Sequence, residues 1–149
     1  MKNKTKIILL VEDDHAHAEI VMREFESCGN NYTLKHLDNG RDALNYICSK
    51  KLFTNTAIYP APVLIILDLQ LSEISGIEVL KNIKNDSDLR KIPVIILTSS
   101  KNEADIAAAY KNHANSYLIK PSDAQAFSQM LQALINYWLN RNTFSSVHY

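Results

Sequence analysis

Short apolar runs alternate with longer stretches of helical periodicity five times along this chain, and this alternation constrains the fold more than any other feature. The runs are Lys6 to Val11, Tyr32 to Leu37, Val63 to Leu67, Val94 to Leu97 and Ser116 to Ile119. Those at 63–67 and 94–97 are apolar at every position, as strands covered on both faces are. Between the runs, apolar residues recur at three- and four-residue steps. Ile20, Val21 and Phe25 mark a helix over His15 to Ser27, and Ile77, Leu80 and Ile83 one over Gly76 to Asn85. Phe127, Met130, Leu131, Leu134, Ile135 and Trp138 mark a last helix over Asp123 to Arg141. Helices are also expected from about Arg41 to Cys48 and over Glu103 to Lys111, with Lys50 to Pro62 as a loop and Gly29 as a C-cap. Strict alternation of this kind implies an α/β fold: parallel strands joined by right-handed crossovers, with helices on both faces.

The 149 residues fit one domain, with a core over about 6–141 and a short tail at 142–149. Lys+Arg and Asp+Glu both total 16, without the basic excess of a nucleic-acid binder. No apolar run approaches the roughly 18 residues of a membrane span. The basic segment Met1 to Lys6 leads only into a short apolar run ending at Glu12-Asp13-Asp14, so it does not read as a signal peptide. Cys28 and Cys48 have neither metal-type nor redox-type spacing. A reduced cytoplasmic protein is the simplest expectation.

In an open α/β sheet, ligands bind beyond the carboxyl ends of the strands. Glu12, Asp13 and Asp14 follow the first strand, Asp68 the third, Thr98, Ser99 and Ser100 the fourth, and Lys120 and Pro121 the fifth. Crowded carboxylates repel one another and call for a cation. All-oxygen ligands suit Mg²⁺, which can in turn hold the oxygens of a phosphoryl group. Lys120 and Thr98 can contact the same group, and Asp68 can attack phosphorus as a carboxylate nucleophile.

These residues bring out a resemblance. Leu10-Val11-Glu12-Asp13-Asp14, Ile66-Leu67-Asp68 with Gly76 downstream, Pro93 to Thr98, and Ser116 to Pro121 resemble the receiver domains of two-component response regulators, which include the bacterial chemotaxis response regulator. The match runs from about Lys6 to Arg141. It implies a flavodoxin-like (βα)5 sheet in strand order 2-1-3-4-5 and a phosphoacceptor role for Asp68. It implies Asp13 as a direct Mg²⁺ ligand, Glu12 acting through water and the Gln70 backbone carbonyl as a further ligand, with Mn²⁺ able to replace Mg²⁺. It also implies a switch pair, Thr98 and Tyr117, and a path for dephosphorylating water flanked by Gln70 and Ser100. Lys120–Pro121 becomes a candidate cis peptide. The implied donor is a phosphohistidine on a sensor histidine kinase or a phosphotransfer protein. The implied output is contact with a downstream protein, or homodimerisation through the fourth helix, fifth strand and last helix. The Lys50–Pro62 loop, Asn102 to Asp105, Tyr110 to Pro121 and Tyr137-Trp138-Leu139 resemble the single-domain phytochrome-associated regulators.

The sequence departs from the family pattern at Ser72, where proline is usual, and at His113-Ala114, where Gly-Ala is usual. Those positions leave open the loop after Asp68 and the turn before the fifth strand. Simple helix capping accounts for Asp14 but not for the other acids. His15 and His17 sit two apart, share no helix face and read as solvated surface. Tyr117 fits both a strand-filling residue and the switch aromatic. Trp138 fits both core packing and an interaction surface. A phosphatase with an aspartate nucleophile would need an acid where Gln70 stands, and no phosphate-binding glycine loop of the NTPase type is present. After Arg141 too few residues follow for a DNA-binding module. The chain therefore reads as a signalling domain and not as an enzyme.

Overall fold

The side-chain alternation of the strands explains how both faces of one sheet come to be buried. The computed structural model describes residues 5–29, 31–49 and 61–145, so most of the expected Lys50–Pro62 loop lies outside the described residues. Strands β1 (Lys6–Val11), β2 (Tyr32–Leu37), β3 (Pro62–Leu67), β4 (Val94–Thr98) and β5 (Ser116–Ile119) form one parallel sheet in the order β2-β1-β3-β4-β5. Helices α1 (His15–Glu26), α2 (Gly40–Cys48), α3 (Gly76–Asn85), α4 (Glu103–Lys111) and α5 (Ala124–Ile135) make the crossovers, with a 3₁₀ turn at Leu89–Lys91. Successive residues of a strand point to opposite faces. Leu9, Val11, Ile65, Leu67 and Ile96 therefore face α2, α3 and α4, where they meet Ile47, Val79, Leu80 and Ile83. Ile8, Leu10, Leu64, Ile66, Ile95 and Leu97 face α1 and α5, where they meet Val21, Phe25, Phe127 and Leu131. Each such side chain contributes about 1.5–3 kcal/mol by leaving water.

Each of the five α-helices among the described residues opens on a side chain that accepts a backbone N–H: Asp14, Asn39, Ser75, Asn102 and Asp123. Capping of this kind satisfies an otherwise orphaned donor and is worth about 0.5–2 kcal/mol. The last helix departs from the expected single run to Arg141. After Ile135 it widens into a π-helical stretch, Asn136–Arg141, closed by the Asn142 N–H on the Tyr137 carbonyl at 2.7 Å. Trp138 then packs under the sheet, stacked on Phe144 with a centroid separation of 6.3 Å. Of the two roles open to it in the sequence, core packing is seen directly, and the ring also lines a surface groove.

The two departures from the family pattern resolve as backbone conformations. His113 takes φ +66°, the left-handed region that glycine adopts without cost, while Ala114 drops into the core. Glu73, next to Ser72, also takes φ +66°, and Arg41 pairs with its carboxylate at 3.3 Å.

Candidate functional site

Strand register brings the polar residues to one level. Val11 is paired with Leu67, so the next residues, Glu12 and Asp68, emerge side by side. Leu67 is paired with Ile96, and Thr98 with Ile119, so Thr98 and Lys120 leave the sheet at the same edge. Backbone bonds extend this order one residue past the strands: the Asp68 N–H donates to Val11 at 3.0 Å and the Lys120 N–H to Thr98 at 2.8 Å. Gly76 allows the close approach beneath. A Cβ there would sit 2.0 Å from the Asp68 carbonyl oxygen, so any side chain would push α3 off the strand end.

At the centre is the Lys120 ammonium. It donates to Glu12 Oε2 at 2.5 Å and to Asp68 Oδ2 at 2.8 Å. These groups are largely withdrawn from water: Glu12 is 1% exposed, Asp68 5% and Lys120 6%. Asp13 completes the acid set, and Glu12, Asp13 and Asp68 each place an oxygen within 4.8 Å of the others. The remaining oxygens are tied to backbone, Glu12 Oε1 to the Asp14 N–H and Asp68 Oδ1 to the Gln70 N–H, both at 3.1 Å. His36 holds the Glu12 carbonyl through Nε2 at 2.7 Å.

Burial pushes the Glu12 carboxyl up to about 7, and the negative charge of Asp68 adds to the rise, while Lys120 opposes it. Burial alone would lower the Lys120 ammonium, but its bonds to Asp68 and Glu12 carry it above the ordinary lysine value. Glu12 binds its proton more tightly folded than unfolded. It therefore contributes stability that is full below about 4.5 and is lost as pH rises through about 7. With EDTA present, the urea midpoint is expected to fall between about pH 5 and pH 8, and Glu12→Gln to remove that part of the slope. Asp14, lowered chiefly by its bond to the His17 N–H, acts with the opposite sign and only below 3.8, outside this window. Identical slopes in the two proteins would show that Glu12 is ionised throughout.

Around this centre the other expected residues fall into place unevenly. Thr98 is fully buried, with Oγ1 3.4 Å from the Ser100 N–H. The Ser100 hydroxyl is turned to Asp105 at 2.5 Å, and its carbonyl accepts the Tyr117 hydroxyl at 3.0 Å. Tyr117 is thus half-buried under the β4–α4 loop, with burial raising its hydroxyl. Gln70 is exposed beside Asp68. Two expectations need correction. No peptide among the described residues is cis, so Lys120–Pro121 is trans, the form that X–Pro bonds favour by about 0.5–1 kcal/mol when nothing locks the other. His17 is only partly solvated surface: its side chain is 35% exposed, and its Nδ1 lies 3.1 Å from Lys120 Nζ.

Residues 8–132 match the response regulator receiver domain. The chain belongs to this family. Among the relatives of this receiver is the probable methanogenesis regulatory protein FilR2 of Methanothrix harundinacea, 41% identical over 136 residues, covering 91% of this chain and 85% of that protein. Response regulator Rcp1 of Synechocystis is 37% identical over 141 residues, covering 95% and 94%. The crystal structure of Mn²⁺-bound Rcp1 superposes with a TM-score of 0.87 at 36% identity, over 95% of this chain and 99% of that one. That of the phosphorylated cyanobacterial phytochrome response regulator RcpA gives 0.86 at 32% identity, again over 95% and 99%. The flavodoxin-like strand order and the resemblance to phytochrome-associated regulators are both borne out. No helix among the described residues of this receiver is long and apolar enough to cross a membrane.

Proposed function

We propose that this receiver is a single-domain switch that takes a phosphoryl group onto Asp68 from a phosphohistidine, on a sensor histidine kinase or a phosphotransfer protein in the cytoplasm. The observation that carries this reading is a buried aspartate held by a lysine at 2.8 Å within a cluster of three carboxylates. An Asp68 oxygen forms the new O–P bond as the donor's N–P bond breaks, and the proton stays with the leaving imidazole. Lys120 meets the charge on the transferred group, and the Thr98 hydroxyl at the end of β4 donates to it.

An all-oxygen acid set fits a hard divalent cation, Mg²⁺ or Mn²⁺. Glu12, Asp13 and Asp68 would hold it, with the Gln70 carbonyl as a further ligand. When bound, the cation neutralises the cluster and the phosphoryl oxygens. Slow self-dephosphorylation follows from water reaching Asp68. Gln70 is the residue to tune it, since its side chain is exposed beside Asp68 while the Ser100 hydroxyl is engaged by Asp105. Output runs from Thr98 through Tyr117 to the face of α4, β5 and α5, for a downstream protein or a second copy of the chain. Supporting this face are exposed Tyr110 and Tyr137, and a groove of about 390 Å³ lined by Leu118, Met130, Tyr137 and Trp138.

Incubation with acetyl phosphate and Mg²⁺ tests the reading. The intact mass is expected to gain one phosphoryl group, peptide mapping to place it at Asp68, and EDTA to prevent it. Full modification in EDTA, or modification elsewhere, would overturn the assignment.

A further inference from the structure

A lysine ammonium has three N–H donors and no acceptor. For Lys120 all three have partners, and only two of these are carboxylates. Besides Glu12 and Asp68, Nζ lies 3.1 Å from His17 Nδ1. Because the ammonium can only donate, the facing imidazole nitrogen must accept, which leaves the ring proton on Nε2. One further contact holds the backbone beneath the ring, and another meets the ring itself. The His17 backbone N–H is bonded to Asp14 Oδ1 at 3.0 Å, and the ring stands edge-on to Phe127 of α5, 5.9 Å between centroids. The second Asp14 oxygen is 3.6 Å from Nδ1, too long for a hydrogen bond, so Lys120 is the nearer partner.

We propose that His17 is a positioning residue for Lys120, a neutral acceptor that keeps the ammonium aimed into the pocket when Glu12 and Asp68 are engaged elsewhere. The proposal rests on the phosphoacceptor reading above. A cation that claims those two carboxylates, before any phosphoryl group arrives, takes two of the three partners of the ammonium of Lys120, a residue only 6% exposed. The carboxylates attract a hard cation, whereas the imidazole is neutral and lies outside the acid cluster, so its hold on Lys120 survives. Without it, a loaded pocket would leave the ammonium to compete for the same oxygens or to swing away.

Three replacements separate positioning from packing. Asn carries Oδ1 at the branch point where His carries Nδ1, so His17→Asn keeps the acceptor and loses the ring. His17→Leu keeps bulk against Phe127 and loses the acceptor. His17→Gln moves the acceptor one bond outward. A packing role ranks Leu above Asn, and the positioning role ranks Asn above both Leu and Gln.

The first readout is hydrogen exchange of the Lys120 ammonium, followed by ¹H–¹⁵N NMR in the full chain with EDTA. Exchange is expected to quicken about tenfold in His17→Leu, the weight of one hydrogen bond to a charged group, and to stay close to wild type in His17→Asn. The second is phosphoryl uptake from acetyl phosphate with Mg²⁺, expected to fall about tenfold in His17→Leu and to be restored in His17→Asn. Imidazole ¹⁵N shifts of the wild type should report the proton on Nε2. If Leu matches wild type in both readouts, or Asn is the poorer of the two, the proposal is overturned. If the wild type takes up no phosphoryl group, the phosphoacceptor reading fails, and the exchange order still decides whether His17 holds Lys120.

Discussion

Asp68→Asn is expected to abolish phosphoryl uptake while leaving the fold within about 1 kcal/mol of wild type, because the amide keeps the geometry and loses only the reactive oxygen. Asp68 accepts two bonds, from Lys120 Nζ at 2.8 Å and from the Gln70 N–H at 3.1 Å, through different oxygens. The Asn carbonyl oxygen can accept either one, and Glu12 remains as the carboxylate partner of Lys120 at 2.5 Å. What disappears is an anionic oxygen able to form a bond to phosphorus. One of the three acids within 4.8 Å disappears with it, so Mg²⁺ affinity should fall as well. Intact mass after acetyl phosphate treatment, urea unfolding and Mg²⁺ calorimetry check the three parts separately. A variant that still gains the phosphoryl mass would move the acceptor to another residue. A variant that unfolds would mean that Asp68 is chiefly a structural anchor for the turn at Gln70.

The legible part of this molecule is what the backbone period and the strand ends carry. Runs such as Leu9 to Val11 and Ile65 to Leu67 can be buried on both faces only in a covered parallel sheet, and the residue after each run must then lie on the ligand-binding edge. Glu12, Asp68 and Lys120 were found by that rule, and register explains why they also meet. What was not legible depends on side-chain direction or on positions far apart in the chain. His17 is not legible as a pocket residue from helix spacing, because its partner stands on another strand end, 103 residues away. Tyr117 is legible as a strand residue, but its bond to the Ser100 carbonyl depends on how the β4–α4 loop folds. Lys84 looks like any surface lysine on α3. It is nearly buried, lowered by burial, and donates to the carbonyls of Arg90 and Ile92 and to Asn115 Oδ1, which ties the 3₁₀ turn to the start of β5. The left-handed turn at His113 was not legible either, because a histidine does not signal a positive φ as a glycine does.

Lys120→Met is expected to destabilise the protein in EDTA by about 3–5 kcal/mol at pH 8, and to make its stability depend on Mg²⁺ far more steeply than that of wild type. The ammonium is the internal counter-ion of the acid cluster, in contact with Glu12 and Asp68 where both are almost out of water. Met fills much the same volume, so what is lost is mainly charge, and breaking a buried pair leaves its partners unneutralised. Glu12 supplies a partial remedy. Its carboxyl already sits at about 7, so at pH 6 it can take a proton, and the destabilisation should shrink there. A divalent cation supplies a fuller one. Lys120 competes with it for Glu12 and Asp68, so the variant pocket is more negative and should bind Mg²⁺ about tenfold more tightly, a coupling in the ordinary range for interacting sites. Phosphoryl uptake should slow by about tenfold, as in His17→Leu, but not be abolished, since Asp68 and the cation ligands remain. The conformational response of the α4–β5–α5 face should be lost, because in the proposed switch Lys120 is the residue that joins the phosphoryl group to β5. Urea unfolding in EDTA and in Mg²⁺, at about pH 6 and 8, with calorimetry for the cation, measures each term. A variant as stable as wild type in EDTA, with unchanged or weaker Mg²⁺ binding, would show that the cluster does not depend on Lys120 for its neutrality.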